Sequence, residues 1–212
     1  MSDAERYGLI AENLIDGDAD RVKELISEAI ATGSPSSDIL ENGLLVGMAE
    51  VGRRFKAHEF FLPEVMLAAR AMKMGMEIIE PLLAASGIAS RGKVLIGTVQ
   101  GDLHDIGKNL VSVMFQGAGL KVIDLGVDVS AEKFVEEARI HEPQIIGLST
   151  LLTTTMVNME GIINGLREDG IRSKIIIGGA PITEKFARSI KADLFALTAA
   201  DGVDKVLAVL GN

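Results

Sequence analysis

Near residue 90 the spacing of the apolar residues changes from a helical period to short, nearly continuous runs, and no single sheet or single bundle accommodates both patterns. Before that point apolar residues recur three and four apart, as in Leu9, Ile10 and Leu14, then Val22, Leu25, Ile26, Ala29 and Ile30. Asp16-Gly17-Asp18 reads as a turn whose last residue caps a second helix. Ser34-Pro35-Ser36-Ser37 reads as the end of that helix and the cap of a third, spanning about 38–54. Pro63 suits the first turn of a fourth helix, expected to run to about Ile79 and to be closed off by Pro81 and Ser86-Gly87. Residues 1–88 are therefore predicted to form an all-α four-helix bundle domain.

From Lys93 onward, apolar runs at Val94–Val99, Lys121–Leu125, Gln144–Leu148, Lys174–Ile177 and Asp193–Leu197 alternate with amphipathic stretches near 107–116, 131–141, 154–167, 183–190 and 202–210. Strands that read as continuous hydrophobic runs are buried on both faces, and strand–helix alternation implies a parallel sheet. The expectation for residues 92–212 is a doubly wound α/β domain, flavodoxin-like or Rossmann-like, with five parallel strands. The connection is placed at Ser86–Gly92.

Composition removes whole classes of function. With 21 basic against 30 acidic side chains the net charge is -9, which opposes binding to nucleic acid or to an acidic membrane surface. The absence of cysteine excludes disulfides, thiolate nucleophiles, iron–sulfur clusters and Cys-based zinc sites, so a metal would need His or carboxylate ligands or would arrive inside an organic cofactor. The first residues lack the basic-then-apolar pattern of a signal peptide, and no apolar run reaches the roughly 20 residues of a membrane span, so a cytoplasmic setting is expected.

In a doubly wound sheet, ligands bind beyond the carboxyl ends of the strands. The loop after the first predicted strand, Gly101-Asp102-Leu103-His104-Asp105-Ile106-Gly107-Lys108-Asn109, carries an imidazole and two carboxylates. Asp102 is close enough to accept the second ring N–H of His104, the arrangement that fixes the tautomer of a metal-bound histidine and raises its basicity. Gly107 and Gly178-Gly179 leave room for a long, thin group. The loop after the third strand, Ser149 to Met156, is rich in hydroxyls, Thr153 and Thr155 among them, but has no nearby base that would make one a nucleophile. His58 and His141 read as ordinary structural residues, and the methionines at 66, 72, 74 and 76 as core filler with a possible second role.

Asp102-x-His104-x-x-Gly107, 41 residues, Ser149-x-Leu151, 26 residues and Gly178-Gly179 together resemble the motif of cobalamin-binding domains in methionine synthases, corrinoid methyl carriers and some mutases, over about residues 90–210. The resemblance implies that the dimethylbenzimidazole tail leaves the cobalt and enters a groove between the Ser149-x-Leu151 and Gly178-Gly179 loops. It further implies that His104 becomes the lower cobalt ligand, tuned by Asp102 and by Thr155, which stands where methionine synthases have a serine. Asp105, Ile106, Gly107, Ser149, Leu151 and Thr153 join Gly178 and Gly179 as cofactor-contact candidates.

The stretch Phe60–Lys73 resembles the helical cap over the upper corrin face, with Phe61, Leu62 and Met66 as candidates for shielding the methyl group. A cap plus a carrier domain is similar to the corrinoid proteins of methylamine, methanol, glycine betaine and methoxyaromatic methyltransferase systems. The implied function is that of a non-autonomous subunit: cobalt(I) takes a methyl group from a donor on one methyltransferase, and methyl-cobalt(III) delivers it to tetrahydrofolate or a thiol coenzyme on another, with a reductive activator as a further partner. Three alternatives stand beside it: the cobalamin subunit of a radical mutase, a cobalamin-sensing regulator, and a flavodoxin-like domain without cobalt. The predicted cap weighs against the first, the acidic charge against the second, and the third leaves Asp102-x-His104 without a task.

Overall fold

A computed structural model describes residues 1–87 and 90–211, which form two compact units, one of Met1–Ser90 with Gly117–Gly119 and one of Arg91–Gln116 with Leu120–Asn212. Of the predicted connection Ser86–Gly92, Ile88 and Ala89 lie outside the described residues, as does Asn212.

The first unit consists of α1 (Asp3–Ile15), α2 (Ala19–Ala31), α3 (Ser36–Asp38), a π-helical segment (Ile39–Leu44), α4 (Leu45–Lys56) and α5 (Leu62–Ala85). The segment from α3 to α4 is one continuous helical rod, so four rods are present as expected, and the π turn interrupts the third. Ile10, Leu14, Leu25, Ile26, Leu44, Val65 and Ile79 are fully buried between them. Each such side chain contributes on the order of 1.5–3 kcal/mol through burial. Asp18 caps α2 through the Arg21 amide, after Gly17 has turned the chain at φ +76.

Two local expectations are corrected. Pro35 occupies the N-cap of α3 and no serine hydroxyl caps it; Ser34 instead donates to Asp3 and accepts from the buried Arg6. Pro81 does not stop α5, which continues to Ala85. A proline removes one helical hydrogen bond, and burial of Ile79 and Leu83 on either side of it keeps this last stretch docked.

The second unit is a five-stranded, all-parallel sheet in the order β2-β1-β3-β4-β5, with β1 (Lys93–Thr98), β2 (Lys121–Asp124), β3 (Ile145–Ser149), β4 (Lys174–Gly178) and β5 (Leu194–Ala196). The helices are α6 (Ile106–Gly117), α7 (Ala131–His141), α8 (Asn158–Glu168), α9 (Glu184–Ser189) and α10 (Ala199–Leu210). This is the flavodoxin-like strand order, whose switch point lies between β1 and β3. The two-residue period divides the central strands between two cores: Leu95, Ile146, Ile175 and Ile177 join Phe134, Ile162 and Leu166 on one face, and Val94, Ile145 and Ile176 join Phe115 and Val206 on the other. Both faces are covered, which is why the strands read as unbroken apolar runs. Helix α8 begins at Asn158, later than the predicted Thr154, because Thr153–Val157 forms turns in which the Thr155 hydroxyl is drawn to Asp102 and Thr150.

Candidate functional site

β1 delivers the chain to the carboxyl edge of the sheet, where residues 99–105 form a loop tied down at several points. Gly101, in the left-handed region at φ +83, donates its N–H to Asp128 Oδ1 at 2.7 Å, and the Asp128 N–H donates to the Asp102 carbonyl at 3.0 Å. The Thr98 hydroxyl donates to the His104 carbonyl at 3.0 Å, and Asn158 Nδ2 to the Gln100 carbonyl at 2.9 Å. The loop is thus fixed by the protein's own hydrogen bonds.

Asp102 is completely buried, and its carboxylate is saturated with donors. Oδ1 accepts the His104 backbone N–H at 2.9 Å and lies 2.7 Å from His104 Nδ1. Oδ2 accepts the Thr150 hydroxyl at 2.7 Å, the Leu151 N–H at 2.7 Å, the Leu152 N–H at 3.3 Å and the Thr155 hydroxyl at 3.2 Å. Burial pushes such a carboxyl up, but the His104 and Leu151 amides, the Thr150 hydroxyl and the His104 ring outweigh it and hold Asp102 well below the usual carboxylate range. An ionised Asp102 accepts the Nδ1 proton, which leaves the Nε2 lone pair of a half-exposed imidazole as the available donor atom. Among the described residues no group of three or more His, Asp or Glu side chains is arranged to chelate a metal ion, so His104 can only supply one ligand to a metal held otherwise.

Around His104 the surface is apolar: Leu103 and Ile106 are 71% and 73% exposed, and Leu151 and Leu152, whose amides bind Asp102, are also exposed. An exposed patch of this kind, at the carboxyl end of a parallel sheet, marks a ligand or partner surface.

A cavity of about 270 Å³ lies within the same unit, between α6 and the sheet. Gly107, Lys108, Val111 and Phe115 of α6 line it, with Ser149, Gly178, Gly179 and Ala196 at the strand ends and Leu197 to Ala199 beyond β5. A methyl group on Gly107 would meet nothing within 4 Å, so its missing side chain keeps the space open. Gly179 is required for a different reason: its φ is +131, and a Cβ would stand 1.8 Å from the Thr150 carbonyl oxygen.

The structure therefore brings together His104, Asp102, Thr155 and Leu151 around the carboxylate, and Gly107, Ser149, Gly178 and Gly179 around the cavity. Asp105 is exposed and accepts from Asn109 Nδ2 at 3.0 Å, and Thr153 is exposed outside the Asp102 network. Phe61, Leu62 and Met66 belong to the helical unit, where they are 63%, 38% and 45% exposed at the start of α5. Met72 is buried in that unit while Met74 and Met76 are half-buried. His58 lies in the left-handed turn after α4, and His141, the last residue of α7, pairs with Glu137 at 3.1 Å.

Two site residues were not singled out by sequence. Thr150 is buried and makes the shorter of the two threonine contacts to Asp102; its position next to Ser149 was the available signal. Lys108 is 3% exposed and pairs with Asp124 and, at 2.8 Å, with Asn109 Oδ1. Its burial follows from tertiary packing, which a charged residue in sequence does not announce.

Residues 92–207 match the B12 binding domain family, and residues 9–80 match a second B12 binding domain family. The chain is 44% identical over 208 residues to a corrinoid protein of Desulfitobacterium hafniense, covering 96% of each. It is 46% identical over 201 residues to trimethylamine corrinoid protein 1 of Methanosarcina acetivorans, covering 93% of each. Its fold superimposes on a chain in the crystal structure of the methanol:cobalamin methyltransferase complex of Methanosarcina barkeri with a TM-score of 0.91 at 31% identity, covering all of this chain and 82% of the other. Among the described residues no helix is long and apolar enough to cross a membrane.

Proposed function

This chain belongs to the corrinoid proteins built on B12-binding domains, and on that premise we propose that it is the methyl carrier between two methyltransferases, with His104 as the protein ligand to cobalt. The bound corrinoid supplies a cobalt centre that takes up and gives back a methyl group. The observation that carries the reading is the buried, donor-saturated Asp102 holding His104 Nδ1 at 2.7 Å, with Nε2 left to an exposed apolar face.

The residues present fit such a group. Asp102 fixes the His104 tautomer and orientation, and removing a carboxylate that holds a metal-binding histidine in this way typically changes metal affinity about 10–100-fold. Leu103, Ile106, Leu151 and Leu152 offer exposed apolar contact to a flat macrocycle beside His104. The cavity, at about 270 Å³, is smaller than the roughly 300–1,000 Å³ of pockets that enclose whole drug-sized ligands, and so suits the nucleotide tail alone. We assign Gly107, Ser149, Gly178 and Gly179 to its walls, Thr155 to the Asp102 network, and Asp105 and Thr153 to the cofactor's exposed rim. Phe61, Leu62 and Met66 are assigned the covering role implied by the cap sequence.

The partners on this reading are a substrate:corrinoid methyltransferase, an acceptor methyltransferase and a reductive activator. A relative named for trimethylamine and a fold neighbour from a methanol system both resemble this chain over nearly its whole length, which supports a carrier whose donor is chosen by the partner enzyme.

Reconstitution with hydroxocobalamin tests the proposal. The expected result is a spectrum in which the tail base is detached and a histidine is bound, altered in His104→Ala, and a methylated form that photolyses in light. A protein that binds no corrinoid, or a spectrum unchanged in His104→Ala, contradicts it.

A further inference from the structure

Resting on the reading that the α6 cavity receives the cofactor's tail, we infer that this chain discriminates among corrinoids by the polarity of the tail base, favouring a benzimidazole over a purine. The selection follows from the cavity walls. Ile96, Val111, Phe115, Ile176 and Ala196 present hydrocarbon, and the glycines present no side chain at all. The polar side chains in the lining are Ser149, Thr198 and Lys108. The Thr198 oxygen already accepts the Asp201 N–H at 3.1 Å as the N-cap of α10, and the Lys108 ammonium is directed to Asp124 and Asn109.

Once joined to its ribose, dimethylbenzimidazole brings one ring nitrogen and two methyl groups into such a space. Adenine brings three ring nitrogens and an amino group with two donors. Each polar atom that leaves water without finding a partner is penalised, whereas methyl groups gain from the same burial. One unmet group is sufficient for about a tenfold difference in affinity, equivalent to ~1.4 kcal/mol. Selection of this kind is the general consequence of a site whose hydrogen-bonding capacity is set by its walls.

The test is equilibrium dialysis of the purified apoprotein against three probes: cobalamin, the same corrinoid with an adenine tail, and tail-less cobinamide. The free cofactors also differ in how firmly each tail base holds its own cobalt, a contribution common to every protein variant. The diagnostic quantity is therefore the change in the affinity ratio between wild type and Val111→Thr, which keeps the side-chain shape and adds one hydroxyl to the wall. The expected result is that the ratio of benzimidazole to adenine affinity falls severalfold in Val111→Thr while cobinamide affinity is unchanged. A ratio that does not move overturns the inference, as does a Val111→Thr substitution that shifts cobinamide affinity as much as that of the tailed forms, since the wall then does not act through the tail. Failure of every probe to bind, with no His104-dependent spectrum, overturns the carrier reading itself and is distinguishable from both.

Discussion

Replacing Gly179 by alanine separates the backbone architecture of the site from its cavity. The added Cβ would lie 1.8 Å from the Thr150 carbonyl oxygen, and real contacts of this kind are not seen below 3.0 Å, so one of the two segments must move by about 1.2 Å. The residue must also hold a φ of +131, at about 1–3 kcal/mol for a non-glycine residue. Displacing packed backbone adds about 1–3 kcal/mol, giving a loss of roughly 2–6 kcal/mol. With a urea m-value near 2 kcal/mol/M, the midpoint of the α/β unit should fall by about 1–3 M, followed by far-ultraviolet circular dichroism. The displaced segment, Thr150 to Leu152, supplies three of the four Oδ2 donors of Asp102, so the histidine-bound corrinoid spectrum should weaken as well. Gly107→Ala is the control: its methyl enters open space on a helix, so apoprotein stability should hold or rise by about 0.5–1 kcal/mol, while affinity for tailed corrinoids falls. A Gly179→Ala protein with wild-type stability and an unaltered spectrum would refute the reasoning.

Three further outcomes are expected. Thr150→Val should destabilise the apoprotein by about 1–2 kcal/mol and Thr150→Ser should recover most of it, because the buried hydroxyl serves Asp102; equal stability of the valine variant in urea titrations would contradict this. Asp102→Asn should lower corrinoid affinity about 10–100-fold in equilibrium dialysis, since an amide cannot accept from every donor that now converges on the carboxylate; an unchanged affinity would count against Asp102 as the group that orients His104. The folded Asp102 carboxyl lies below its unfolded value near 3.9, so it stabilises the fold above that pH and loses the contribution as pH falls further. The stability gap between wild type and Asp102→Asn should accordingly shrink on acidification below about pH 4, as read from pH-dependent unfolding; a gap that widens there would reverse the sign.

Much of this molecule is legible in its sequence because the two hydrophobic periods are so different. Ile175, Ile176 and Ile177 are apolar in succession because each face of the sheet is covered, and that run alone argues for a parallel central strand. Asp102, His104 and Gly107 were visible as a local cluster, since two residues of separation bring the carboxylate to the ring. What spans distance was less visible. The contact of Thr150 with Asp102 joins residues 48 apart, and the need for glycine at 179 arises from a neighbour on another strand's loop. Pro81 illustrates the opposite failure: a local rule predicted a helix end, and burial of the flanking residues overrode it. The π segment Ile39–Leu44 follows the same apolar spacing as an α-helix closely enough that periodicity gives no sign of it.

Coordination of cobalt by His104 is tested most directly by electron paramagnetic resonance of the cobalt(II) form, prepared with protein in which only histidine carries ¹⁵N. A single axial histidine nitrogen predicts that each cobalt line, split in three by ¹⁴N, becomes split in two on labelling, and that the labelled pattern is lost in His104→Ala. A three-line pattern that persists in the labelled protein would mean that the cofactor's own base remains on the metal, and would contradict the account.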